Sequence, residues 1–526
     1  VHGIEELNEF LEPSVKNAHS PHLLKNIDDA VNRINKAIHK QENISVFADI
    51  DADGLFAATI MNRYLLNFTE SVCIFHAQRS DGHSIHTSMN SIPEGTQLLI
   101  IVDSSSSDEM QCKEIMERGI DIIILDHHDL ERDNPHPILV NPKQQGCEYP
   151  NKEASGSLIT WKVCEALDEY LSTSYADELI DLAGFSILSD SMSVFNLENR
   201  YFINEALKKV RNTGLKILFE ECGKKTNNII ASDFSYSISP CLTAATRMDK
   251  LEIALELLNS DDLLKCKKLS EQLVELNEER KKIQSEYVER VKPQINTNDK
   301  CIIIIDDSLG KGFNGVIAQE LAQTYQRPVI ILGDSSKDDE YAGSFRSFGS
   351  FKMRSFLKKV SHAVFSAGHE GAGGTGCKKE NFEAFKSEIN HLLRNEKFEQ
   401  FITYELELDA SEIHMGLIED VHNFYRITGK DFQTGKFLIK GLFVEDKNPL
   451  SKKHTNYEHT RITCENLEVV KFKTNKEYFD SFPVFKAIDA IGSLKLNQYE
   501  RYDRNLRRKV PVVENQMFLE EYRLSN

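Results

Sequence analysis

The stretch Ile44-Ser45-Val46-Phe47-Ala48-Asp49-Ile50-Asp51-Ala52-Asp53-Gly54 decides the fold. Its first half is short, β-branched and apolar without alternation, as a strand buried on both faces reads. Its second half sets three carboxylates at alternate positions before a glycine and the helical spacing of Leu55 to Phe68. One Asp there would cap the helix, and the glycine would serve a tight turn. Three acids exceed that need, because clustered like charges cost free energy unless a cation neutralises them. A calcium-binding helix-loop-helix fits poorly, since apolar Leu55, Phe56, Ala57 and Ala58 follow Gly54 and no Glu closes a twelve-residue loop.

Working outward, Leu98 to Val102 and Ile120 to Leu125 repeat the buried-strand pattern, with a helical stretch from Asp108 to Arg118 between them. Strand, helix, strand order predicts a doubly wound parallel sheet, whose ligands gather beyond the C-terminal strand ends. The second of these strands ends in Asp103 and four serines, the third in Asp126-His127-His128-Asp129. Leu182 to Leu188 leads into Ser189-Asp190-Ser191, which adds one more acid or simply caps a helix. Carboxylates with imidazoles and no thiolate select Mn²⁺ or Mg²⁺, and room for two ions points to phosphoester hydrolysis.

Composition sets the bounds. The chain has 526 residues, 40% of them hydrophobic and 28% charged, with a net charge of −19, which is globular composition with room for three or four domains. No apolar run approaches the ~20 residues of a membrane-spanning helix. Val1 to Phe10 carries acids rather than a basic apolar leader, so no secretory signal is expected, and the absence of Met suggests that Val1 is not the natural start. The ten cysteines include no CxxC pair, which argues against structural zinc and for a reducing, cytoplasmic setting. The acidic total weighs mildly against unspecific nucleic-acid binding, although a basic channel can coexist with acidic outer faces.

Further along, Leu263, Cys266, Leu269, Leu273, Leu276, Ile283, Tyr287 and Val291 recur at helical steps, predicting one amphipathic helix from about Asp261 to Lys292. It serves either as a connector between two lobes or as a coiled-coil arm, and the few heptads favour the connector. Alternation then restarts with strand Cys301 to Ile305, a helix from Asn314 to Thr324, strand Val329 to Leu332 and a Gly-rich turn at Ala367 to Gly376. From Phe401 short strands such as Lys436 to Val444 and Leu467 to Phe472 predict a small β-rich domain.

The ordered set of these motifs resembles the DHH phosphoesterase superfamily, and within it the RecJ-like single-strand-specific exonucleases. Supporting residues are Arg79 with Gly82, Asn141-Pro142 followed by Cys147, Pro150 and Ser155-Gly156, the Ala-Ala-x-Arg-Met-Asp stretch within Leu242 to Asp249, and Leu276 to Arg280. Gly343 to Ser347 and Gly368 to Gly374 look like the DHH-associated domain, so the likeness runs from about Pro21 to Glu388. The resemblance implies an α/β fold: an N-terminal helical segment (1–43), a parallel-sheet DHH domain (44–258), a connecting helix (259–293), a smaller α/β DHH-associated domain (294–398) and an oligonucleotide-binding-like barrel (399–526).

The resemblance also implies two divalent cations, Mn²⁺ or Mg²⁺, held by Asp49, Asp51, Asp53, Asp103, His127 and Asp190. By the same carry-over His128 faces the scissile phosphate and Asp126 orients an imidazole. Arg79, Arg247, Ser344, Arg346 and His369 hold the strand. The implied activity is stepwise hydrolysis of single-stranded DNA from the 5′ end, releasing mononucleotides, in repair, recombination or replication. The implied setting is a monomer whose substrate strands come from a helicase or a single-strand-binding protein.

Lys452, Lys453, His454, Tyr457, His459 and Arg461, and Arg501, Tyr502, Arg504, Arg507, Arg508 and Lys509, offer stacking and basic contacts in the barrel, or plain charged surface. Alternatives are a phosphodiesterase of the same superfamily acting on short oligoribonucleotides or cyclic dinucleotides, and a non-catalytic strand-binding scaffold. Departures from the pattern are Phe47, where many relatives place a histidine, Cys241, Thr243 and Thr246 around the Ala-Ala segment, and the remnant Asp431 to Gly435.

Overall fold

A computed structural model describes residues 3–77, 84–130, 132–306, 311–335, 337–450, 457–503 and 507–525. The chain divides into two compact units, one spanning Glu12–Phe401 and the other combining Val1–Leu11 with Ile402–Asn526.

In the larger unit, β1 (Ile44–Ala48), β2 (Val72–His76), β3 (Leu98–Val102), β4 (Asp121–Leu125) and β5 (Ile138–Val140) form a fully parallel sheet in the order β2-β1-β3-β4-β5. Every residue of β1 and β3 is buried, which is why both read as unbroken apolar runs. Strand order reverses between β1 and β3, and the connections leaving them diverge to open a crevice at their C-terminal ends. Helix Ala52–Leu65 follows β1 and is buried except at Arg63. It packs on helices Gly156–Leu171 and Ile180–Ser189.

Helix Leu263–Val291 begins where Asp262 Oδ1 accepts the N–H groups of Leu264 and Lys265. Its 29 residues give a rod of roughly 43 Å. Cys266, Leu269 and Leu273 are buried where it packs on helices Thr213–Glu221 and Leu251–Asn259. Tyr287, Val288 and Val291 instead join the core of a second lobe. The helix is therefore a connector and not a free coiled-coil arm.

That second lobe holds β6 (Ile302–Ile305), β7 (Val329–Asp334), β8 (Glu340–Arg346), β9 (Ala363–Gly368) and β10 (Ala372–Lys378), ordered β6-β7-β8-β10-β9. Only β6 and β7 run parallel. The Gly-rich segment expected as a turn is the β9–β10 hairpin. Glycines of the hairpin and of β8 permit close strand approach: a Cβ on Gly373 would lie 2.0 Å from the Ala367 carbonyl oxygen, and one on Gly343 in β8 2.0 Å from that of Ile331. Helices Lys311–Tyr325 and Phe382–Leu392 cover the two faces of the sheet.

The smaller unit contains β11 (Leu406–Asp409), β12 (Phe437–Pro449), β13 (His459–Cys464), β14 (Leu467–Phe472), β15 (Ala487–Asp503) and β16 (Arg508–Leu524). Pairing runs β12-β13-β14-β16-β15 and returns to β12, closing a five-stranded barrel around Ile439, Val444, Ile462, Val469 and Met517. The parallel β14–β16 closure and the helix Lys476–Ser481 between β14 and β15 give the oligonucleotide-binding barrel topology expected there. Among the described residues no helix is long and apolar enough to cross a membrane.

Candidate metal centre

β1 delivers Asp49, 2% exposed, to the crevice. Two residues on, Asp51 caps helix Ala52–Leu65, its Oδ1 accepting the N–H groups of Asp53 and Gly54 at 3.0 Å each. The plain capping role therefore holds for one acid of the three. Asp53 turns the other way: its carboxylate accepts the N–H of Gly156 (2.7 Å) and of Ser157 (3.0 Å) at the start of helix Gly156–Leu171. Two free amides and the helix dipole hold its charge in place. Gly54 is required, because a Cβ there would sit 2.6 Å from that of Asp49. Gly156 is required as well, since its Cβ would lie 2.4 Å from Asp103 Oδ1.

β3 ends in Asp103, which adopts φ +61°, a left-handed conformation uncommon for a residue with a side chain. Its N–H donates to the Leu125 carbonyl (2.8 Å), and the strained turn keeps the side chain buried. Neither carboxylate oxygen of Asp103 takes part in a hydrogen bond, and neither does His127 Nδ1. Beyond β4, His127 Nε2 lies 3.2 Å from Asp103 Oδ1, 3.4 Å from Asp190 Oδ2 and 3.9 Å from Asp53 Oδ2. Asp190 comes from the C-terminal cap of helix Ile180–Ser189.

Three groupings, each with ligand atoms within 4.8 Å of one another, result: Asp49, Asp51 and Asp103; Asp53, His127 and Asp190; Asp103, Asp126, His127 and His128. The sequence-predicted ligands thus converge.

The electrostatics explain what such a site needs. Burial pushes the Asp103 carboxyl well above the ordinary range, and the charges of Asp53, Asp51, Asp190 and Asp49 push the same way. Burial also raises Asp53, and it lowers His127. A buried acid with bare oxygens beside four others is a poor resting arrangement for protein alone. Hard divalent cations match this oxygen-rich donor set with a single imidazole.

Asp126 and His128 behave differently. Asp126 Oδ1 accepts the His127 N–H (2.7 Å) and the His128 N–H (3.2 Å), and pairs with His128 Nδ1 at 2.7 Å. Burial would raise Asp126, but the hydrogen bond and charge of His128 outweigh it and hold the carboxyl far below its usual range. The same hydrogen bond pushes His128 up to about 9, so its imidazolium persists at neutral pH. Asn141 Nδ2 donates to the His128 carbonyl (3.0 Å) and to Ser106 Oγ (3.3 Å), tying the two loops together.

The remaining candidates lie elsewhere. Arg247 ends helix Ser239–Arg247 in the first lobe. Ser344 and Arg346 lie on β8, and the Arg346 guanidinium packs over Gly315 while Nη1 donates to the Phe345 carbonyl. His369 is exposed in the β9–β10 turn, where its N–H donates to Ala372. None of these is in the carboxylate groupings. Arg79, Lys452, Lys453, His454 and Arg504 lie outside the described residues. Phe47 is fully buried with its ring 5.2 Å from that of Phe75, so its position belongs to the apolar core. In the barrel, Arg461 pairs with Glu468 and Glu514 within the fold.

Comparison with known proteins finds likenesses in sequence and in fold. The DHH family N-terminal domain matches residues 43–185 and the DHHA1 domain residues 298–395. YorK from the SPbeta prophage of Bacillus subtilis (strain 168), named provisionally as a single-strand DNA-specific exonuclease, is 26% identical over 97% of this chain and 93% of its own. The single-stranded-DNA-specific exonuclease RecJ of the same organism is 27% identical over 98% of this chain and 66% of its own. The crystal structure of Thermus thermophilus RecJ in complex with Mn²⁺ superposes with a TM-score of 0.76 at 21% identity, covering 99% of this chain and 74% of that one. The three-part α/β architecture with its terminal barrel is thus a shared fold.

Proposed function

We propose that this RecJ-like chain, with its DHH and DHHA1 domains, is a divalent-metal-dependent exonuclease that hydrolyses single-stranded DNA. The observation that carries the reading is the convergence of Asp49, Asp51, Asp53, Asp103, His127 and Asp190 at the C-terminal edge of one parallel sheet. Asp49, Asp51 and Asp103 would hold one cation, and Asp53, His127 and Asp190 the other. Bound there, the cations supply charge neutralisation at the phosphate and a water-derived nucleophile at neutral pH. His128, kept protonated by Asp126, donates toward the charge that builds on the phosphoryl oxygens. Arg79, Arg247, Ser344, Arg346 and His369 hold the strand, the last three from the second lobe.

The finer reading is cleavage from the 5′ end with release of mononucleotides, by a cytoplasmic monomer acting in repair, recombination or replication on strands supplied by a helicase or a single-strand-binding protein. Digestion of strands labelled at one end or the other, titrated with Mn²⁺ and Mg²⁺, tests substrate, polarity and cofactor together. Metal-dependent loss of a 5′ label as mononucleotide is expected. Cleavage without metal, or faster turnover of dinucleotides than of long strands, would overturn the reading.

A further inference from the structure

Asn199 belongs to none of the groupings above, yet it touches both turns on which they depend. It sits fully buried in helix Leu197–Lys208, whose start is capped by Asn196. Its Nδ2 donates to the Glu153 carbonyl (2.7 Å) and to the Ser193 carbonyl (2.9 Å). Glu153 lies three residues before Gly156, whose amide holds Asp53 and whose bare Cα makes room for Asp103. Ser193 lies three residues after Asp190, and Ser191 between them adopts φ +54°. One amide nitrogen therefore spans the turn that anchors Asp53 and the turn that carries Asp190.

The rest of Asn199 is fixed. Its Oδ1 accepts from Asn151 Nδ2 (2.8 Å), and Asn151 donates also to Glu198 Oε2 (3.0 Å). Glu198 in turn accepts the Tyr149 hydroxyl and the His19 N–H. Next along the helix, buried Arg200 donates from Nη1 to the Val194 carbonyl (3.3 Å), a second hold on the Asp190 turn. With both Nδ2 hydrogens committed and the oxygen satisfied, the amide has one orientation and no spare donor.

We propose that Asn199 is a positioning residue that holds the Asp53-anchoring turn and the Asp190 turn in register, so that Asp53, His127 and Asp190 present a preformed site to one divalent cation. The inference rests on the metal-site reading above. Outer partners of this kind typically change metal affinity by roughly 10–100-fold when lost.

The test compares Asn199→Leu, which keeps the volume and removes both donors, with Asn151→Ala, which disturbs the same polar block but leaves the two bonds to the turns. Mn²⁺ binding is read by electron paramagnetic resonance beside melting temperature and strand hydrolysis. Asn199→Leu should weaken one of two Mn²⁺ sites by roughly tenfold. It should lower kcat at limiting Mn²⁺, recover at excess Mn²⁺ and leave KM for the strand unchanged, whereas Asn151→Ala should bind Mn²⁺ as wild type does. Unchanged Mn²⁺ affinity in Asn199→Leu, or loss of metal in both variants in proportion to melting temperature, overturns the proposal. If Asn199→Leu does not fold, hydrogen exchange on the wild type decides. Protection of 153–157 and 190–194 with one common Mn²⁺ midpoint supports the coupling, and separate midpoints overturn it. Wild type that binds no Mn²⁺ would instead defeat the underlying reading of the site.

Discussion

The two five-stranded sheets of the larger unit treat carboxylates in opposite ways. In the first, β1 and β3 are buried at every position, and Asp103 is buried at the strand end with no hydrogen bond to either oxygen. In the second, β9 exposes Val364, Phe365, Ala367 and Gly368. There Glu388, on the helix beside it, accepts from the Ser361 N–H and Oγ and from the His362 N–H, and pairs with His362 Nδ1 at 2.7 Å. Burial raises Asp103 and leaves it unsatisfied, while the Ser361 and His362 hydrogen bonds overcome burial at Glu388 and bring its carboxyl down to about 2. A buried acid left without hydrogen bonds suits a cation. A saturated one on an open sheet is scaffold, which in the reading proposed above leaves Arg346 and His369 to contact a large ligand.

The largest effect expected from this contrast is on hydrolysis. Asp103→Ala should reduce strand cleavage by on the order of a thousandfold while single-strand affinity stays within about twofold, measured by filter binding. Gly156→Ala comes next: its methyl would meet Asp103 Oδ1 at 2.4 Å, so Mn²⁺ affinity and kcat should fall roughly 10–100-fold. Gly374→Ala in the second lobe is the matched control, because a Cβ there finds nothing nearer than 3.4 Å, and kcat should be unchanged. Smaller still, His369→Ala should raise KM for long strands by roughly three- to tenfold without altering kcat, the signature of lost strand binding. An effect of His369→Ala on kcat alone would move that residue from the grip to the chemistry.

Stability against pH separates the lobes by sign. The folded-state pKa of Asp103 lies above its unfolded value, so its cost to the folded state appears as pH rises through the unfolded value toward the folded one. In EDTA, Asp103→Asn should therefore be more stable than wild type by roughly 1–3 kcal/mol at pH 8 and by less at pH 5. Asn also tolerates the left-handed backbone at that position. Glu388 has a depressed pKa, so its contribution is present above the unfolded value near 4 and is lost as pH falls toward about 2. Glu388→Gln should cost about 1–2 kcal/mol at pH 7 after allowance for solvent screening, and less at pH 4. Chemical denaturation of each variant at its own pair of pH values checks both signs.

Much of the first lobe was legible because a parallel strand buried on both faces leaves an unbroken apolar run, and the residues just past β1, β3 and β4 must share one edge. Asp49, Asp103 and the Asp126-His127-His128 run followed from that alone, while choosing His127 among the three as a ligand rested on the family resemblance. Asp190 was harder: it caps a helix end, where Ser-Asp-Ser reads equally well as ordinary capping, and only the tertiary packing of helix Ile180–Ser189 brings it to His127. The amides of Gly156 and Ser157 that clamp Asp53 left only the helix-start signature at Ser155, which says nothing of a partner a hundred residues earlier. Asn141 belongs to the Asn-Pro pair that supports the resemblance, but its hold on the His128 carbonyl, like that of Asn199 on the Glu153 and Ser193 carbonyls, leaves no pattern in composition or spacing. In the second lobe the glycine run misled, since glycines that allow close strand pairing look like turn residues. The barrel strands β15 and β16 were obscured by the charged residues on their exposed faces.

Manganese anomalous scattering decides whether these acids form a two-cation site. Crystals soaked in Mn²⁺ should show two peaks, one among Asp49, Asp51 and Asp103 and one among Asp53, His127 and Asp190. A map with no peak there, in crystals whose side chains keep the arrangement described, would contradict the account.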